Sequence, residues 1–110
     1  MKRFTFLQFM KKLWKLKDFS YTPEKFLLMD TISYPFLQER KLNKITYTPD
    51  FLILTNQWSS IYEDTKSIET AKKESYKIKK RLFLEKYILW KNNIYFKEVF
   101  SFDDTYFFWL

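Results

Sequence analysis

Residues 45–66 read ITYTPDFLILTNQWSSIYEDTK, and the fold turns on how this stretch divides. β-Branched and aromatic residues dominate 45–54, predicting a strand interrupted at Pro49, which cannot donate to a ladder. The polar run Thr55–Ser60 predicts a turn, with Asn56 where a glycine might be expected. Residues 61–66 predict a second strand. Side chains alternate along a strand, so Tyr62, Asp64 and Lys66 share one face while Ile61, Glu63 and Thr65 share the other. Pairing of the two strands through the turn brings Asp50 beside Asp64. Two such carboxylates repel unless a proton or a divalent cation lies between them.

Working outward, Phe6, Phe9, Met10, Leu13 and Leu16 form a helical stripe that predicts a basic amphipathic helix over 4–17, with Lys11, Lys12 and Lys15 off the stripe. Tyr21-Thr22-Pro23 ends it, and 25–34 predicts a strand closed by Pro35. Residues 38–44 are polar and predict a turn or hairpin connection. Downstream, 69–87 predicts a helix with Ala71, Ile78 and Leu82 on its core side. Lys73, Lys77, Lys80 and Arg81 gather on another side of it. A last strand over 94–100 follows the Asn92-Asn93 turn, and Tyr47 and Tyr76 are expected to pack in the core. The expected fold is α/β: a small mixed β-sheet of about four strands flanked by two helices. The expected organisation is one domain, with the basic helix in 1–19, a core in 20–100 and an aromatic tail in 101–110 that must dock or cover a partner.

Composition narrows the chemistry. The chain has 110 residues with no Cys, no His and no Gly. That excludes thiol nucleophiles and disulfides, the Ser-His-Asp triad, most transition-metal sites and glycine-based phosphate loops. Carboxylates, lysines and hydroxyls remain. The net charge is +7, concentrated in 1–19 (six basic, one acidic) and 71–87 (seven basic, two acidic), while 20–70 carries five basic against seven acidic. Basic flanks point to a polyanion, and an acidic middle suits a site that loads a divalent cation. Mg²⁺ accepts one or two carboxylates with water and substrate phosphate, so Asp50 and Asp64 are the candidate ligands. The Thr65 backbone carbonyl is a further candidate ligand, and Lys66 is placed to orient an attacking water or neutralise developing charge. Lys73, Lys77, Lys80 and Arg81 are candidate phosphate contacts, and Glu63 is an opposite-face or supporting residue. No apolar run is long enough to cross a bilayer and no secretory signature is present, so a cytoplasmic location without a membrane partner is expected.

The strings ITYTPDFLI, IYEDTKS, the lysine-rich YKIKKRLF and YFKEV together resemble the PD-(D/E)XK nuclease superfamily, in particular its phage-encoded Holliday junction resolvase-like endonucleases. The resemblance spans roughly residues 20–100 and implies a restriction-endonuclease-like core. It also implies a Mg²⁺-dependent DNA endonuclease, with Mn²⁺ able to substitute, in which Asp50 and Asp64 bind metal and Lys66 serves catalysis. Branched or junction DNA is then the expected substrate, and cutting it symmetrically calls for a homodimer. Two positions depart from the family pattern. Ser67 stands where a glycine often follows the motif lysine, and residues 2–17 lack the acid that many members carry on the first helix. Competing expectations are a DNA-binding protein with weakened catalysis and an interaction or membrane-surface protein using the first helix.

Overall fold

The computed structural model describes residues 2–110. Its elements are α1 (Lys2–Lys12), β1 (Asp18–Tyr21), β2 (Phe26–Met29), β3 (Ile32–Ser33), β4 (Lys41–Leu42), β5 (Ile45–Tyr47), β6 (Phe51–Leu54), β7 (Ser60–Thr65), α2 (Ile68–Ala71), α3 (Glu74–Phe83) and β8 (Ile94–Val99). A π-helical turn, Leu84–Ile88, extends α3, and a 3₁₀ turn spans Tyr106–Trp109. The main sheet runs β1-β6-β7-β8, antiparallel except for the parallel β7–β8 pair. It is the expected four-strand mixed sheet of an α/β fold.

Period-2 burial makes the sheet the middle of three layers. Phe51 and Ile53 of β6 and Ile61 of β7 point to the α1 side, where they pack with Leu7, Met10, Leu16 and Phe107. On the other side Tyr62 and Phe96 meet Phe83, Tyr76 and Ile88 of the α3 segment, with Phe26, Leu28 and Tyr47. Phe83 is the hub of that layer, its ring 4.9 Å from Phe26 and 5.0 Å from Tyr47. The tail docks as the 3₁₀ turn, burying Phe107 against α1.

Several sequence expectations are corrected. The first helix ends at Lys12, and its buried positions are Arg3, Leu7 and Met10, while Phe9 and Leu13 are exposed. Of the expected stripe, Phe6, Met10 and Leu16 face the core, and Arg3 and Leu7 complete the buried side in place of Phe9 and Leu13. The helix stops at Trp14, whose φ of 62° closes a Schellman turn: Lys15 N–H reaches Met10 O at 2.9 Å and Trp14 N–H reaches Lys11 O at 3.0 Å. β1 was not expected, although Asp18-Phe19-Ser20-Tyr21 alternates with period 2. The expected 45–54 strand splits at Thr48-Pro49: β5 pairs with β2, whereas β6 joins the main sheet. The expected 25–34 strand likewise becomes β2 and the short β3, and the latter pairs with β4. The second helix is divided, with Lys72 capping α2 and Lys73 preceding α3. Ile78 is exposed, so its core side is set by Tyr76 and Phe83 instead.

Residues 26–47 thus form a hairpin arm. Its outer part, Asp30–Lys44, is exposed apart from half-buried Leu37. The arm draws the molecule out to 57 × 30 × 18 Å with a radius of gyration of 16.3 Å, against about 13 Å for a compact chain of this length.

Candidate active site

β6 and β7 pair with Phe51 opposite Glu63, and Asp50 continues that ladder by donating its N–H to Glu63 O at 2.9 Å. The same register sets Asp50 across from Asp64. On its other side the Asp50 carbonyl accepts Thr22 N–H at 2.7 Å, so the residue after Pro49 is clamped from both neighbouring strands. The Asp50 side chain is clamped as well: its Oδ2 accepts the N–H of Thr65 at 2.8 Å and the Thr65 hydroxyl at 2.7 Å. Thr65 therefore acts on this site through its amide and hydroxyl as donors.

Asp64 is buried on the α3 face. Its Oδ2 accepts a short hydrogen bond from the Tyr47 hydroxyl. Lys66 Nζ stands 2.8 Å from Oδ1 as an ion pair, yet no hydrogen-bond donor is aligned with that buried oxygen. Burial pushes the Asp64 carboxyl up to about 6, and Asp50 adds to the rise, while Lys66 and Tyr47 act against it. The Lys66 ammonium also lies over the Tyr76 ring, 5.1 Å from its centroid. Burial and the negative charge of Asp64 push the Tyr47 and Tyr76 hydroxyls well above the ordinary phenol range, so both remain donors. The structure brings Asp50 beside Asp64 and pairs Lys66 with Asp64.

The site opens into a cleft of about 420 Å³ lined by Tyr47, Asp64, Lys66, Lys73, Tyr76 and Lys79, among others. Of the expected phosphate contacts, Lys73 lines it. Lys80 is ion-paired with Glu98 at 3.0 Å and Arg81 with Glu85 at 3.1 Å, while Lys77 is exposed outside the lining. Lys79 was missed: counting i+3 from Tyr76, the buried anchor of the helix, points to it. Glu98 was missed too. It lies beside Asp64 in the parallel register and accepts the Tyr76 hydroxyl at 2.9 Å. Tyr47 and Tyr76, expected only to pack, also serve as donors here.

Glu63 takes the opposite face, as its position predicts, and its carboxylate plays no supporting part at the Asp64 site. It is fully buried and held by Arg3, whose Nε and Nη2 reach it at 3.0 and 2.5 Å, and by the Tyr106 hydroxyl at 2.6 Å. Ser67 and the acid-free first helix each have a local structural account. Ser67 has φ −77° and caps α2 by accepting Thr70 N–H at 3.1 Å, so no left-handed glycine is needed there. α1 packs on the face away from Asp64, and the side chain it sends into the sheet, Arg3, meets Glu63. Among the described residues no group of three or more acids clusters to hold a metal ion. Comparisons with protein-family models, with curated proteins and with solved structures returned no match. No helix is long and apolar enough to cross a membrane, among the residues described.

Proposed function

We propose that the chain is a Mg²⁺-dependent endonuclease that hydrolyses DNA phosphodiesters, with branched DNA as its substrate. The observation that carries the reading is the convergence of Asp50 and Asp64 beside Lys66, with burial and Asp50 pushing the Asp64 carboxyl up to about 6. A buried carboxylate beside a second carboxylate is a donor set that fits a hard divalent cation. Two acids suit one ion better than two.

Asp50 and Asp64 would hold the ion, which when bound supplies Lewis-acid polarisation of the phosphate and lowers the pKa of water. The chain's own residues do the positioning. Thr65 locks one oxygen of Asp50, Tyr47 locks Oδ2 of Asp64 and Lys66 pairs with its Oδ1, so both carboxylates are held in fixed directions. Lys66, over the Tyr76 face and beside Asp64, is placed to orient a water and to stabilise charge developing on the phosphate. Lys73 and Lys79 on the cleft wall offer cations to the flanking phosphates. Two strands of a branched substrate are cut by two copies, which extends the reading to a homodimer.

The test is cleavage of a four-way junction and of linear duplex in parallel, with Mg²⁺, with Mn²⁺ and with chelator. Metal-dependent nicking lost in both Asp50→Asn and Asp64→Asn is the expected result. DNA binding without cleavage under either metal would replace this reading with that of a binding protein on the same scaffold.

A further inference from the structure

A second cavity lies on the α1 face, at the free edge of the main sheet. It is a groove of about 520 Å³ between α1 and β1, lined by Phe4, Gln8, Lys11, Lys12, Trp14, Phe19 and Tyr21. None of these residues lines the carboxylate cleft. Its floor is aromatic and braced: the Phe4 ring meets Phe19 edge-on at 5.4 Å and Tyr21 at 6.0 Å.

Trp14 stands on the rim, 86% exposed and in the left-handed region at φ 62°. Its carbonyl accepts Asn56 Nδ2 at 2.8 Å, so the backbone that presents the indole is fixed from two sides. The helix cap leaves a large aromatic standing in water at the edge of an aromatic floor. Charge narrows the occupant. Lys11 is ion-paired with Asp18 at 2.8 Å, whereas Lys12 has no carboxylate partner among the described residues. Residues 2–17 carry six cations and no acid. The lining itself holds Lys11 and Lys12 and no carboxylate, so a second copy docking through the same residues would set cations against cations, which argues against self-association here.

We propose that this groove binds an unpaired stretch of nucleic acid, with bases stacked on Trp14 and on the exposed part of Tyr21 and a phosphate at Lys12. Stacking accepts any base because every base has a π-face, so the site needs no sequence-reading groups, and Gln8 is the one neutral polar side chain lining it. The inference goes beyond the nuclease reading and uses none of its residues. It makes the chain a reader of single-stranded segments whether or not it cuts.

The experiment is a fluorescence-anisotropy titration of labelled oligo(dT), about twelve nucleotides long, against the full chain in chelator, with duplex of equal length alongside. Trp14→Gly removes the indole yet suits the left-handed cap, so thermal unfolding should show a fold intact or firmer. Its affinity for the oligonucleotide should fall on the order of tenfold. Lys12→Ala should lower the slope of log affinity against log salt by about 0.7. Trp90→Ala, which removes an equally exposed indole outside the groove, should leave binding unchanged. Parental affinity in Trp14→Gly, equal loss in Trp90→Ala, or no preference over duplex would overturn the proposal. So would a change in sedimentation of Trp14→Gly without a change in oligonucleotide binding, which would assign the groove to a second copy. Because no metal is present, failure to cleave DNA has no bearing on the outcome.

Discussion

Glu63 and Asp64 are neighbours on one strand, both buried, and they face opposite layers. Glu63 receives a forked guanidinium and a phenol, and that guanidinium in turn donates to the carbonyls of Phe102 and Asp104 at 2.9 and 2.7 Å. The ion pair thereby ties the first helix, the central strand and the tail together. Asp64 receives one phenol and an ammonium in poor hydrogen-bonding alignment, and a second carboxylate stands beside it. One face uses a buried acid to fasten the fold; the other holds a buried acid with a single phenol and one ammonium, beside a second carboxylate. That contrast separates a structural carboxylate from the one proposed to hold metal more sharply than burial does, since burial is the same for both.

The contrast can be broken at its strong side first. Arg3→Ala or Glu63→Ala strands the opposite buried charge and should destabilise the chain by about 3–5 kcal/mol in denaturant unfolding. A double replacement by apolar residues of similar size should recover most of that loss. At Asp64 the sign reverses. Each pH unit of displacement is worth about 1.4 kcal/mol, so Asp64→Asn should stabilise the chain at pH 7 by roughly 1–3 kcal/mol while abolishing metal-dependent cleavage. A loss of stability in Asp64→Asn would place Asp64 in the same structural role as Glu63.

The pH profile sharpens the same point. Asp64 holds its proton up to about pH 6 in the folded chain but releases it near 3.8 when unfolded. Between those values the folded state carries the extra proton, so this residue's contribution to stability should rise as pH falls through 6 and level off below 4. Comparing parent with Asp64→Asn by thermal unfolding from pH 7 to 4 isolates that slope. The smallest expected effect is at Ser67, where Ser67→Ala removes the α2 cap just beyond Lys66. It should cost about 1 kcal/mol in the same melts, and a larger cleavage defect than stability defect would show that the cap orients the lysine.

Much of this was legible in residues 45–66. Period-2 alternation separated Glu63 from Asp64 and aligned Asp64 with Lys66, because a strand's faces are fixed by geometry that no packing overrides. The pairing of Asp50 with Asp64 followed from a short turn, which sets register locally. What lay outside the chain's local grammar was not legible. Arg3 reaches Glu63 across sixty positions, and Glu98 comes beside Asp64 only through a parallel crossover. Tyr47 and Tyr76 look like core aromatics in sequence and are core aromatics in fact; only the direction of their hydroxyls makes them donors. The arm was hidden for a related reason, since Pro49 divides one apolar run between two sheets.

The turns show what a chain without glycine must do. Trp14, Thr22, Arg40, Trp58 and Asn93 all adopt positive φ, and Trp58 follows the type of three-residue hairpin loop in which glycine is the usual choice. Each such corner strains the native backbone slightly. The unfolded chain, however, has a Cβ at every position and roams a smaller conformational space than a glycine-bearing chain of equal length, so it has less disorder to surrender on folding.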